Sequence, residues 1–268
     1  MKHNQDISKE HFSYLQKQRN KSILINVLRC SVLLLLLLFW EAAAYFEWVN
    51  PFITSSPSRI VKTVASLYEN GTLFFHIGTT LWETLLGFFI AVILGYSIAL
   101  LLWWSELIRK ISEPYLVVLN ALPKIALGPL IIIWCGTGSK AIIFMTVLIG
   151  LIIAILNMLG GFMATEESKL LLLKSMGANK WQILTKLVMP SAIPTFISML
   201  KISVGMAWIG SIMGEYIVSK AGIGYLIVYG GQVFKLDLVM SAVFILCLLA
   251  AVMYALVALL ERLVVKTK

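Results

Sequence analysis

Three stretches of this chain, 84–105, 141–165 and 238–260, carry no Asp, Glu, Lys or Arg and are each long enough to cross a bilayer as a helix. About 20 apolar residues in helical form cover a hydrocarbon core of roughly 30 Å. No soluble core needs several such runs, and the chain lacks the polar side chains to coat one. Only 13% of its residues are charged and 60% are hydrophobic, where a soluble domain carries about 25% charged residues. Three further segments are apolar but interrupted. Segment 23–48 holds Arg29, Glu41 and Glu47; segment 112–135 holds Glu113, Pro114, Pro123, Lys124 and Pro129; segment 194–217 holds Lys201 and Glu215. The expected fold class is therefore all-α, a polytopic membrane protein with about six transmembrane helices. Residues 1–21 are polar and basic and read as a cytoplasmic tail, followed by a membrane domain over 22–268. The basic region extends to Arg29 with no clear small-residue cleavage site after Leu33–Leu38, so the first apolar segment is read as an uncleaved span rather than a signal peptide.

The net charge of +9 sorts by loop. With six spans and an inside N-terminus, fifteen Lys and Arg fall on cytoplasmic segments or the start of the first span, five fall outside, and Lys124 and Lys201 lie within spans. The positive-inside rule then places both termini in the cytoplasm. Loop sorting accounts for the basic balance, and no aromatic–basic groove pattern points to nucleic acid. Cys30, Cys135 and Cys247 lie in or beside apolar segments without CxxC spacing and are expected to be small buried hydrophobes. His3, His11 and His76 are scattered, so no metal site is expected.

Local signals add detail. Ser56 and Pro57 read as a helix start, with Ile60, Val64, Leu67 and Tyr68 on one face and Asn70-Gly71 as the stop. That helix either lies on the outer membrane interface or docks a soluble partner. Leu122-Pro123-Lys124 and Gly128-Pro129 should break the third span. Broken spans are tolerated where protein or a water-filled cavity satisfies the freed backbone, so this one either lines a pathway or is kinked packing. In the fifth span Gly210 and Gly214 form a GxxxG, beside a row of small residues Ser203, Ala207 and Ser211. These let the helix approach its own bundle or a second copy closely. Lys201 and Glu215 share a face but lie roughly 21 Å apart at about 1.5 Å per residue, too far to pair with each other. Pro123, Pro129, Met206, Trp208, Ser211 and Glu215 are the candidates for lining a pathway, although an ion pair or exposed end position competes for Glu215.

Between the fourth and fifth spans, about 165–190, runs TEESKLLLLKSMGANKWQILTKLVMP. Thr165 can cap a helix whose first turn holds Glu166 and Glu167. Gly177 is a natural stop. A second short helix follows, with Trp181, Leu184, Leu187 and Val188 as its apolar stripe and Pro190 at its close. A helix–Gly–helix element with one apolar side needs cover, either from the protein's own spans or from a cytoplasmic partner. The spacing of Gly177 to Leu187-Val188-Met189-Pro190 resembles the G-x9-I-x-L-P end of the EAA loop of binding-protein-dependent ABC importer permeases. Gly177-Ala178-Asn179-Lys180-Trp181 and Pro190 to Pro194 resemble further segments of that loop. Ser56-Pro57, Leu122-Pro123-Lys124, Pro129 followed by Trp134-Cys135-Gly136, and Gly214-Glu215 with Gly222-Ile223-Gly224-Tyr225 are similar to the branch for nitrate, sulfonate, taurine and thiamine-precursor uptake. Leu171-Leu172-Leu173 stands where the loop's Glu-Ala-Ala would be.

The resemblance implies a permease subunit in the bacterial cytoplasmic membrane, forming the translocation pathway for a small, sulfonate- or nitrate-like anionic solute. It implies cytoplasmic ATPase subunits that use ATP and Mg, an extracytoplasmic substrate-binding protein, a second permease copy and surrounding lipid as partners. It also implies that this chain itself is not an enzyme and binds no cofactor. Coupling to the ATPase would fall on Glu167, Met176, Gly177, Ala178, Lys180, Trp181 and Pro190. No catalytic residue is expected, since no G-x4-G-K-[ST] occurs and the spans hold no polar constellation for chemistry. The alternatives are an autonomous secondary transporter or channel, for which a second broken span is missing, and a membrane anchor, which leaves the exposed loop without a purpose.

Overall fold

The structure is a computed structural model and describes residues 9–265. Lys2, His3, Lys266 and Lys268, and residues 1–8 of the expected tail, lie outside the described residues. Helices and their connections make up the described chain, with no strand among them. Among the described residues five helices are long and apolar enough to cross a membrane, or six if one bent pair is counted as a span. Two units divide after Lys62.

In the first unit, α1 (Lys9–Tyr45) is continuous, so residues 9–21 of the expected tail are helical. Leu33, Leu34, Leu35 and Leu36 of α1 are exposed within the chain, as suits a helix whose surroundings are lipid or protein. Its one acidic residue near the far end has local work: Glu41 Oε2 accepts from the Ser58 backbone N–H at 2.9 Å, placing negative charge at a helix N-terminus. Asn50 caps the single turn α2 (Pro51–Thr54) by accepting from Phe52 N. The expected start at Pro57 is that of α3 (Pro57–Glu69), where Ser56 Oγ accepts from Arg59 N at 3.5 Å.

The second unit holds the remaining spans: α4 (Leu73–Trp104), the bent pair α5 (Glu106–Ala121) and α6 (Gly128–Cys135), α7 (Ser139–Met163), α11 (Ile193–Val218) and α13 (Leu236–Val265). The break falls at the two prolines, through a 3-10 turn over Lys124–Leu127, and bends the pair by 83°. Leu122 is extended, as the residue before a proline must be. Two expectations are corrected. The third span begins at Glu106, with Ser105 Oγ accepting from Ile108 N at 3.4 Å, and Pro114 sits inside α5 without ending it. The second span begins at Leu73 and so takes in Glu83, which the charge-free stretch beginning at Thr84 excluded.

Helix α7 is the centre of the unit, packed against α4 on one side and α11 on the other. The small residues face these contacts. A Cβ on Gly210 would lie 2.6 Å from Thr146 Cα, and one on Gly214 would lie 3.0 Å from Ile142 Cα. The GxxxG of α11 therefore seats on α7 of the same chain. Thr84 Oγ1 donates to Ser211 Oγ at 2.7 Å, tying α4 to α11 behind that contact. Lys201 pairs with Glu261 of α13 at 2.5 Å, as expected for an ion-paired span lysine. The cysteine expectation fails for Cys247, which is exposed on α13, and holds only partly for Cys135, which is half-buried.

The short helix α12 (Ile223–Gln232) is held by its N-terminus. Its leading N–H groups have no partners within the helix. His76 Nδ1 accepts from Gly222 N at 3.1 Å, Thr80 Oγ1 from Ile223 N at 2.7 Å, and Glu215 Oε2 from Gly224 N and Tyr225 N. Gly-Ile-Gly-Tyr is thus a backbone edge laid against side chains of α4 and α11. On the other side of α12, Ile223 and Leu226 join Leu73, Leu238, Ala242 and Ile245 in a core cluster, against which Val64 and Leu67 of α3 pack. Of the expected α3 face, Tyr68 is exposed.

Candidate functional site

The loop leaves α7 at Met163 and enters α11 at Ile193. Thr165 does not cap the first helix: its hydroxyl donates to Phe162 O at 3.1 Å and lies 3.2 Å from the Ser191 hydroxyl, which pins the two ends of the loop together. The helix α8 (Glu167–Ser175) instead starts after Glu166, whose carboxylate pairs with Lys169 at 3.0 Å. Its C-terminus closes on Gly177 at φ 78°, where Gly177 N donates to Lys174 O and Ala178 N to Leu173 O. A side chain on an L-residue rarely adopts that conformation. The chain restarts at once through a capping box. Asn179 Oδ1 accepts from Gln182 N at 2.8 Å, and Gln182 Oε1 accepts from Asn179 N at 2.9 Å. There follow α9 (Lys180–Ile183), a π-helical turn over Leu184–Val188, and α10 (Met189–Ser191).

The two faces of this element meet different surroundings. Ile183, Leu184 and Val188 are buried, and Leu170, Leu173, Ala178 and Met189 pack around them against the main core of α4, α7 and α11. Leu171, Leu172, Met176 and Trp181 are exposed, Met176 at 73% and Trp181 at 60%. Both covers weighed from the sequence are therefore in use or on offer: one apolar side is folded onto the spans and the other is bare. Of the expected stripe, Leu184 and Val188 are buried and Leu187 is half-buried, while Trp181 stands outside it and Ile183, not among the expected residues, stands inside.

The second short helix is tied to the end of α4. Lys180 Nζ donates to Trp104 O, lies 5.3 Å from the Trp104 ring centroid and 5.9 Å from that of Trp103. Trp181 meets Trp104 edge-on at 6.3 Å. A helix leaves its last carbonyls without partners, and a lysine supplied by the loop satisfies one here while its charge faces two aromatic rings. Trp103 and Trp104 were missed, since from the sequence they only marked the end of an apolar run. Lys180→Met keeps the stem but removes this donor and charge. We expect it to free the second short helix from the end of α4, read as faster protease cleavage within the loop at unchanged membrane level; unchanged cleavage would show that the tie does not hold the loop.

The remaining candidates are placed as follows. Glu167 is exposed in the first turn of α8, and Pro190 lies in α10, lining an apolar cavity of about 510 Å3 with Tyr96, Phe162, Met189, Ile193 and Phe196. Pro123 and Pro129 are exposed at the break of the third span, and Met206 is half-buried, packed against the cluster of Ile131, Ala141, Met145 and Ile149. Trp208, Ser211 and Glu215 are buried inside the chain's own bundle: Ser211 and Glu215 reach no open surface, because the small-residue face of α11 that carries Ser211 is seated on its neighbours, whereas Trp208 edges an apolar groove with Ile212, Leu246 and Cys247. Loop and pathway candidates form two groups at separate places, joined by α11. Among the described residues no three metal-ligating side chains come together.

The comparisons with known proteins agree on one family. Residues 87–266 match the family described as binding-protein-dependent transport system inner membrane component. The formylaminopyrimidine transport permease protein ThiX of Halalkalibacterium halodurans is 32% identical over 230 residues, covering 85% of this chain and 91% of that protein. The taurine transport system permease protein TauC of Escherichia coli is 23% identical over 228 residues, with 83% of each covered. A chain of the bacterial alginate ABC transporter, solved in complex with a periplasmic protein bound to an alginate pentasaccharide, shares the fold at TM-score 0.61 and 14% identity, covering 94% of this chain and 97% of that one. With its helical bundle, its broken third span and its two-faced loop, the chain belongs to the binding-protein-dependent transport family and is a multi-pass permease, the translocation subunit of an ATP-driven importer.

Proposed function

We propose that the bare face of the loop, Leu171, Leu172, Met176, Gly177 and Trp181, docks in a groove of a cytoplasmic ATPase subunit that binds the ATP and Mg, with Glu167, Ala178, Lys180 and Pro190 shaping it. The observation that carries this is the division of one short element into an apolar side seated on the spans and an apolar side left uncovered. Such a patch marks an interaction site, and an element gripped on both sides can pass motion from one to the other. In this reading the membrane domain spans 22–268, two copies of the chain form the pathway, and an extracytoplasmic binding protein delivers solute to them. Co-expression with the cognate ATPase and binding protein tests it. The ATPase should co-purify through detergent, and uptake into vesicles should require both ATP and the binding protein; uptake without them would favour an autonomous transporter.

Both termini are placed in the cytoplasm of a bacterial cytoplasmic-membrane protein, on the strength of the fifteen-to-five charge bias. Reporter fusions after Gly71 and Gly222 should then read external and one after Gly177 cytoplasmic. An external reading at Gly177 would remove the loop from any cytoplasmic ATPase.

For the solute, the sequence resemblance favours a sulfonate- or nitrate-like anion, and a taurine permease is among the relatives. A second reading, a small nitrogen heterocycle, is favoured by the higher identity and coverage of the formylaminopyrimidine permease. Growth on each as sole sulfur or pyrimidine source, with and without this gene, separates them. The pathway is proposed to run between two copies, along the break at Pro123 and Pro129 and the neighbouring face of α11. A cysteine at Met206 should react with a water-soluble thiol reagent in at least one state of the cycle, and one at Ser211, wholly buried, should react far more slowly. Equal rates would place the pathway elsewhere.

A further inference from the structure

The far end of the bundle from the loop contains two carboxyl groups that transport through the loop does not use. Glu83 on α4 and Glu215 on α11 are each 1% exposed. Their carboxyl groups are close neighbours; the Ser139 side chain at the start of α7 also reaches Glu83, and the Thr80 hydroxyl reaches Glu215. Glu215 Oε2 takes the Gly224 N–H at 2.5 Å and the Tyr225 N–H at 3.4 Å. One oxygen on each group has no donor: Oε2 of Glu83 and Oε1 of Glu215. Among the described residues neither carboxyl has an ion-pair partner. The titratable groups beside them are His76 on α4, engaged with Gly222 N, Tyr216 on α11, and Tyr225 on α12, stacked on His76. Lys140 follows Ser139 on α7 but is exposed.

Two adjacent carboxylates, both out of water and without a cation, repel at short range where screening is weak. Each buried oxygen left without a donor adds a desolvation cost. A single proton removes both problems. Placed on one carboxyl, it removes one of the two charges and supplies a donor that the other carboxyl can accept. A bound metal ion fits the donor set less well, because hard cations take about six oxygen ligands, whereas Glu215 Oε2 is already turned to backbone N–H groups.

We propose that Glu83 and Glu215 form a buried proton-binding site, an acid–carboxylate pair that holds one proton at neutral pH. Glu83 is the donor and Glu215 the carboxylate, since Glu215 already faces two backbone N–H groups and a hydroxyl, all of which favour negative charge there. The pair joins α4 to α11, and through Glu215 it holds the N-terminus of α12. The proton is therefore part of what fixes that end of the bundle. This does not rest on the docking of the loop or on the identity of the solute.

The test is infrared spectroscopy of the purified permease–ATPase complex in lipid nanodiscs. Wild type at neutral pH should show a protonated-carboxyl C=O band that shifts in D2O. Glu83→Gln and Glu215→Gln should each abolish it, because the amide supplies the donor and the remaining group stays a carboxylate. Asp237→Asn should leave it in place. Glu83→Ala, with no donor, should melt several degrees below Glu83→Gln. The proposal is overturned by a wild type without the band, by a band that survives both Gln variants, or by a band that sodium removes, which would make the site one for a metal cation. The wild-type spectrum alone decides the first point, so a variant that fails to assemble does not blunt the test.

Discussion

Gly177→Val is expected to abolish coupled uptake while leaving the permease in the membrane at its normal level. The structure narrows the reason. A Cβ at Gly177 would meet nothing within 4 Å, so no clash opposes the substitution; the backbone at φ 78° does. A β-branched residue held there is strained by about 1–3 kcal/mol. The cheapest relief is to rotate the junction between α8 and α9, which touches no span. That rotation turns Trp181 relative to Leu171, Leu172 and Met176, which precede the junction, so the bare residues are no longer presented together. Lost in full from the docking step, 1–3 kcal/mol weakens association by roughly 5- to 150-fold. Trp181→Ala should reach a similar end by another route, since truncating a central aromatic of an interface costs at least about 2 kcal/mol, near thirtyfold. Gly177→Asn is the discriminating control, because Asn tolerates the left-handed region. If Asn retains uptake and Val does not, backbone conformation is the cause. ATPase pull-down and ATP-driven uptake read both effects, and full activity of Gly177→Val and Trp181→Ala would show that the loop is not the coupling element.

Much of this site was legible in the sequence because its signals are local. Gly177 ends one helix, Asn179 begins the next, and both act within four residues of themselves. The breaks at Pro123 and Pro129 are equally local, being set by ring geometry and a missing N–H. What escaped depends on partners distant in the chain. Glu83 lies at the edge of a charge-free run, and nothing nearby announces that Glu215 and Ser139 close around it. The start of the third span was read too late, at 112, because Arg109 and Lys110 read as a loop; Arg109 instead pairs with Glu113 along one helix face at 3.5 Å. Trp181 left the stripe of the second loop helix, and its ring meets Trp104 at the end of α4, a partner distant in the chain. Trp104 was invisible as a loop contact because both its carbonyl and its ring meet partners distant in the chain, Lys180 and Trp181.

Gly222→Ala should have the largest effect on folding, and it tests whether the seat of α12 is a structural keystone. Gly222 sits at φ 106° and ψ 171°, a region that essentially only glycine occupies, so any side chain is strained by about 1–3 kcal/mol. Space opposes the change as well. The new Cβ would overlap the carboxyl group of Glu215, which cannot swing aside without releasing Gly224 N and Tyr225 N and leaving its other neighbour, Glu83, unsupported. Overpacking a closed site costs about another 1–3 kcal/mol. Together these approach roughly 2–6 kcal/mol, a large share of the 5–15 kcal/mol by which ordinary domains are stable. Gly71 supplies the control, since it too has positive φ, at 71°, but faces open space. Gly71→Ala should therefore accumulate normally and melt only slightly lower. Gly222→Ala should fall in membrane level, become sensitive to protease at α12, and lose uptake in proportion. Thermal unfolding of the detergent-purified variants measures the difference directly. If the two substitutions behave alike, strain alone accounts for Gly222 and the contact with Glu215 contributes nothing to holding α12 against α4 and α11.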